Sequence, residues 1–169
     1  ALGQDSKYDF GKTGLITEPV GNDGLPMASL PAIKLGDTDT GIYTSVAAIA
    51  ISAGMEHTCA LLDGDGDGDG DEVKCWGEGE KGRLGQDSPD FYGDTDVAYD
   101  GASAKHLPMG DLDAIDLGGH KAIAISASRQ HTCALLENGD VRCWGKNNKG
   151  QLGQNSTDDY GTSTNPMSA

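Results

Sequence analysis

The chain has 169 residues, 36% hydrophobic and 5% aromatic, with 26 glycines, a balance that favours short strands joined by many turns over long helices. Twenty-seven acidic against twelve basic residues give a formal charge of −15, which repels nucleic acid and anionic membranes and favours cations. No stretch approaches the roughly 18 apolar residues of a membrane span, and no basic-apolar-small opening marks a signal peptide, so a soluble, mature chain is expected, with no nucleic-acid partner and no membrane insertion.

In chain order the dominant feature is repetition. "AIAISAGMEHTCALL…VKCWGEGEKGRLGQDS" at 48–88 returns as "AIAISASRQHTCALLENGDVRCWGKNNKGQLGQNS" at 122–156, and so close a repeat means a repeat architecture. "LGQDS" at 2–6 and 84–88 returns as "LGQNS" at 152–156, and Leu25-Pro26-Met27 returns as Leu107-Pro108-Met109. The chain divides into a first unit at 1–83, entered in mid-repeat, a second at 84–151, and the start of a third at 152–169. The first unit carries two insertions, one around 37–46 and one in the acidic run 63–72. Both fall between constant blocks, so they read as loops.

The second unit shows the plan of both. Residues 122–128, "AIAISAS", alternate with period two and predict an inner strand packed on both faces. "HTCALL" at 131–136 and "VRCWG" at 141–145 flank Asn138-Gly139, a strong hairpin signal because both residues tolerate positive φ. "GQLGQ" closes the unit through a tight bend, and "STDDYGTSTNP" reads as polar loop. The expected fold is all-β, with three or four strands per unit.

The blocks A-I-x-I-S-A-x-x-x-H-T-C-A-L-L…V-x-C-W-G-x-x-x-x-G-x-L-G-Q resemble the repeat of the regulator of chromosome condensation family. That resemblance implies a β-propeller of antiparallel blades, here about two full repeats with partial repeats at both ends. The cysteines in the hairpin strands depart from the family pattern and suggest a secreted, bacterial-type variant. The family also includes nucleotide-exchange factors for small GTPases, a role that disulfides argue against because it belongs to a reducing cell.

With a three-residue turn at Glu137-Asn138-Gly139, Leu136 faces Asp140, and counting back places Cys133 opposite Cys143. Cross-strand Cβ atoms lie roughly 4.5–5.5 Å apart, close enough for a disulfide after a small adjustment. Cys59 and Cys75 form the matching pair if the first-unit insertion only lengthens the turn. Two such pairs imply an oxidising compartment. Four buried free thiols are the alternative; a four-cysteine zinc site lacks the close ligand spacing it needs. His57 and His131 share one repeat position, where the family resemblance implies hydrogen bonding inside the blade, while His106 and His120 fall in segments that read as loop.

The first hairpin tip runs Asp63-Gly64-Asp65-Gly66-Asp67-Gly68-Asp69-Gly70-Asp71-Glu72. Carboxylates so crowded repel one another, and Ca²⁺ relieves that repulsion because it accepts six to eight oxygens in flexible geometry. Asp63, Asp65, Asp67, Asp69, Asp71 and Glu72 are therefore candidate calcium ligands, although the bidentate acid of an EF-hand is missing. A solvated acidic loop is the alternative. Asp37 and Asp39 in the other insertion, and Asp90, Asp94 and Asp96 after Gly85-Gln86, are further candidate metal residues.

No Gly-x-Ser-x-Gly, His-Glu-x-x-His or phosphate loop is present, so no enzyme is expected. The leading expectation is an extracellular or cell-surface structural repeat protein, part of a calcium-stabilised, disulfide-bonded filament or assembly. Its partners would be copies of itself joined head to tail. The alternative is a fragment of a secreted propeller adhesin or binding module. Asn155-Ser156-Thr157 fits an N-glycan acceptor, which makes a glycan a candidate partner.

Overall fold

The computed structural model describes residues 32–33, 35, 46–64, 66–93, 106–107, 109 and 112–167. Among them, one sheet holds β1 (Ala47–Ala53), β2 (His57–Asp63), β3 (Glu72–Gly77), β4 (Phe91–Tyr92) and β5 (His106–Leu107) in that order; a second holds β6 (Ala122–Ala127), β7 (His131–Leu136) and β8 (Val141–Gly145). A 3-10 turn spans Glu80–Gly82. Pairing is antiparallel except between β4 and β5, where Phe91 and Tyr92 run parallel to His106 and Leu107. His106, expected in a loop, thus lies on a strand, whereas His120 lies outside the strands.

The two sheets are copies. Thr58 faces Trp76 and Cys59 faces Cys75 in the first; Thr132 faces Trp144 and Cys133 faces Cys143 in the second. The inner strands even share a register shift, between Ala48 and Ala50 and between Ala122 and Ala124. Each blade then gains an outer partner from the sequence beyond its Gly-x-Leu-Gly-Gln bend. Tyr92 pairs with Gly77, and Tyr160 pairs with Gly145. Blades are therefore offset from the sequence frame, because β4 belongs to the unit 84–151 yet completes the sheet of the unit before it. Tyr160, inside a segment expected to be loop, holds a strand-like place for the same reason.

β6 packs against β1 and β2, and between the sheets lies the core, which includes Leu61, Leu62, Val73, Trp76, Leu84, Leu112, Ile115, Leu136 and Trp144. Burying each of the larger aliphatic side chains contributes roughly 1.5–3 kcal/mol. β2 is buried along its whole length, while β7 alternates between buried and more exposed positions. The inner strands depart from expectation. Ile51 is 72% exposed and Ile123 47%, since an alternating apolar strand does not itself determine which of its faces a neighbouring sheet covers.

Candidate functional site: the junction between the blades

The hairpins supply the site's rigid parts. Leu136 N–H donates to the Asp140 carbonyl at 2.8 Å, which fixes the turn; three steps along, Cys133 and Cys143 meet at a non-hydrogen-bonded pair, the closer kind of cross-strand position. The structure joins Cys133 to Cys143 and Cys59 to Cys75, with Cα separations of 4.1 and 4.0 Å, and leaves no cysteine free. The six-residue longer tip of the first hairpin does not disturb its register.

Between the blades lies a buried polar joint. His57, 1% exposed at the start of β2, has its Nε2 2.9 Å from Thr132 Oγ1 on β7. Thr132 donates its own hydroxyl to the Arg83 carbonyl at 3.2 Å, so its lone pair receives the Nε2 proton and His57 is the neutral Nε2–H tautomer. Trp144 Nε1 donates to the same Arg83 carbonyl at 3.1 Å. The histidine thus works between blades rather than within one. Gly54 makes the approach feasible, since a Cβ there would lie 2.3 Å from the His57 ring and 2.4 Å from the Ser128 carbonyl. Burial, then the charge of Arg83, lowers the His57 pKa to about 4.

Arg83 itself is fully buried. Its Nη1 donates to Glu78 at 2.5 Å and to Glu56 at 3.2 Å, and its Nε donates to the Glu80 carbonyl at 2.9 Å. Burial, then the hydrogen bond with Glu56, pushes Glu78 up to about 7, while that hydrogen bond holds Glu56 below the usual carboxylate range. The two acids flank one guanidinium, so the protonation of either one affects the other. Sequence reasoning missed this cluster, although aligning the two copies exposes it. Glu56, Glu78 and Arg83 become Gln130, Lys146 and Gln151 in the second unit, where Lys146 Nζ donates to Gln130 Oε1 at 2.9 Å.

The acidic tip is braced from within. Asp63 is 9% exposed, and its carboxylate accepts the amides of Gly66 at 2.6 Å and Gly68 at 3.0 Å. Both glycines have positive φ, which turns successive N–H groups toward one anion. Asp71 accepts the Gly64 amide at 2.8 Å and meets Lys121 Nζ at 2.6 Å. Lys121 also lies 3.9 Å from Asp67, and the Ala122 amide donates to the Asp71 carbonyl. The base of the tip is therefore a bracket on the second blade. Asp67, Asp69 and Glu72 are exposed. Among the described residues no three acids, histidines or cysteines converge where they could hold a metal ion. Asp37, Asp39, Asp65, Asp94 and Asp96 lie outside the described residues. The Asp90 amide donates to Ser88 Oγ at 3.1 Å, and in the matching loop of the second unit Asp159 accepts the Asn147 amide at 2.8 Å.

Stapled hairpins joined by a buried polar joint define an all-β protein built of stacked, blade-like repeats. Residues 122–151 match the family model described as "Regulator of chromosome condensation (RCC1) repeat", so this segment is an RCC1-family repeat, and its blocks recur at 48–83. It is 34% identical over 115 residues to the ultraviolet-B receptor UVR8 of Arabidopsis thaliana, covering 68% of this chain and 21% of that protein. To the protein RCC2 homolog of Danio rerio it is 40% identical over 84 residues, covering 49% of this chain and 14% of that one. It thus spans about a fifth or less of these relatives' length. Among solved structures it is similar to human WBSCR16, at 15% identity and a TM-score of 0.50, over 69% of this chain and 25% of that one. That likeness bears on the fold alone.

Proposed function

We propose that the chain is an extracellular structural repeat protein that assembles with copies of itself and carries out no catalysis. One observation carries the reading: each blade is closed by its own cross-strand disulfide, while the blades meet through a buried, hydrogen-bonded joint. Disulfides persist in oxidising compartments, and the joint buries its one histidine away from solvent instead of presenting it to a substrate. The hairpin cysteines support the secreted, bacterial-type form of the repeat.

Calcium belongs to this proposal at the tip 63–72. Lys121 offsets part of the charge there, and the exposed Asp67, Asp69 and Glu72 are the groups through which a hard cation would enter. Calorimetry on the chelated chain tests it: binding heat and a raised melting temperature are expected, and neither would appear for a merely solvated loop. Electron micrographs of the purified chain test the assembly, since ordered polymers support it and monodisperse single molecules overturn it.

A secreted binding module is the second reading, favoured by a cavity of about 230 Å³ lined by Arg142, Cys143, Gln154, Tyr160, Pro166 and Met167. A small ligand bound there, with the chain remaining a single molecule, would replace the structural reading.

A further inference from the structure

One row of side chains carries the first blade's side of the joint. Ser52 faces Cys59 and Cys59 faces Cys75 across β1, β2 and β3, and side chains directly opposite one another in antiparallel strands share a face of the sheet. The second blade meets that row with one of its own, Ala127, Thr132 and Trp144, paired in the same way across β6, β7 and β8. The Ala127 amide donates to Ser52 Oγ at 2.8 Å, and Thr132 Oγ1 lies 3.8 Å from Cys59 Sγ. The hydroxyl that receives His57 thus also rests on the disulfide. Cys59, Cys75 and Thr132 are all fully buried. Successive residues of a strand point to opposite faces, so Cys133–Cys143, one position along β7 from Thr132, lies on the far side of its sheet and has no part in the joint.

We propose that Cys59–Cys75 is a redox latch on this joint: the closed blades keep thiols from the disulfide, and its reduction lets the blades part. Exchange requires a thiolate to reach one of the two sulfurs. A dithiol does so in two steps. Its first thiolate attacks one sulfur, breaks the S–S bond and releases the other cysteine. Its second thiolate then displaces the first cysteine, so the dithiol leaves as a cyclic disulfide, and two electrons and two protons end on Cys59 and Cys75. While Thr132 covers Cys59, the sulfurs are open to attack only when the blades separate, a local opening short of complete unfolding. The coupling is reciprocal. Two sulfurs no longer bonded move apart to van der Waals contact, and in a close-packed interior that space comes from displacing a neighbour, here Thr132.

The test follows each disulfide of the full chain by mass spectrometry of alkylated peptides during exposure to dithiothreitol. Thr132→Val should speed the reduction of Cys59–Cys75 roughly tenfold, and Thr132→Ser, which keeps the hydroxyl, should stay near the parent's rate. Ser52→Ala, a milder change that removes the acceptor at the other end of the row, should speed it several-fold. Cys133–Cys143 should keep the parent's rate in all three. No acceleration at Cys59–Cys75 in either Thr132→Val or Ser52→Ala would overturn the latch. Equal acceleration of both disulfides would overturn it as well, because the route would then be unfolding of the whole chain. The reverse coupling is read in a chain carrying Cys133→Ala and Cys143→Ala, where only the latch can be reduced. Its Ala127 amide should exchange with solvent roughly tenfold faster after reduction; unchanged exchange would show that reduction does not free the blades.

Discussion

At the scale of the residue, Thr132 is the pivot of the joint. Its hydroxyl accepts from His57 Nε2 and donates to the Arg83 carbonyl, and its side chain is fully buried. Thr132→Val keeps the shape but leaves the histidine donor and one carbonyl lone pair without partners, so it should lose about 1–3 kcal/mol in urea unfolding, whereas Thr132→Ser should lose far less. The same joint should make stability depend on pH from two sides. His57 falls from 6.5 to about 4 on folding, so the unfolded chain binds the extra proton between those values and stability is lost as pH falls through that window. Glu78 rises from 4.5 to about 7, so the folded chain holds the extra proton and stability is lost as pH rises through about 7. Melting curves across pH should show Glu78→Gln flattening the upper limb and His57→Gln the lower one. If both variants kept the parent's profile, the joint would not be what titrates.

At the scale of the element, each hairpin is closed by a disulfide whose loop spans 16 or 10 residues, so chain entropy alone puts the loss for each at about 3 kcal/mol. Cys59→Ala with Cys75→Ala should cost more than the matching pair at 133 and 143, because it also opens a fully buried part of the core; chemical denaturation of the two double variants gives the comparison. The acidic tip has a separate hold on the second blade. A Cβ on Gly70 would sit 2.3 Å from the Ala122 carbonyl and 2.8 Å from Leu61, so Gly70→Ala should cost about 1–3 kcal/mol by overpacking. It should also loosen the Asp71–Lys121 contact, which amide exchange at Ala122 would report.

At the scale of the whole molecule, a formal charge of −15 makes self-repulsion a general burden, which salt screens. Sodium chloride should therefore raise the melting temperature gradually. Calcium at equal ionic strength should raise it further if the tip at 63–72 binds the ion; identical curves for the two salts would leave the tip as a solvated bracket held by Lys121.

Much of this was legible in the residues themselves. The repeat and the Asn138-Gly139 turn determined the hairpins and, by counting, the facing of Cys133 with Cys143, because strand register is a local property once the turn is known. The sequence also determined an all-β chain, through its period-two blocks and frequent glycines. What only the tertiary structure decided is everything that depends on one blade meeting another. His57 reaches across to Thr132, Arg83 is buried with Glu56 and Glu78, and Lys121 crosses to Asp71, contacts between residues far apart in the chain. The exposure of Ile49 and Ile51 belongs here too. An alternating apolar strand reads the same whether or not a neighbour lies over it, and only the arrangement of the sheets determines which of its faces is covered.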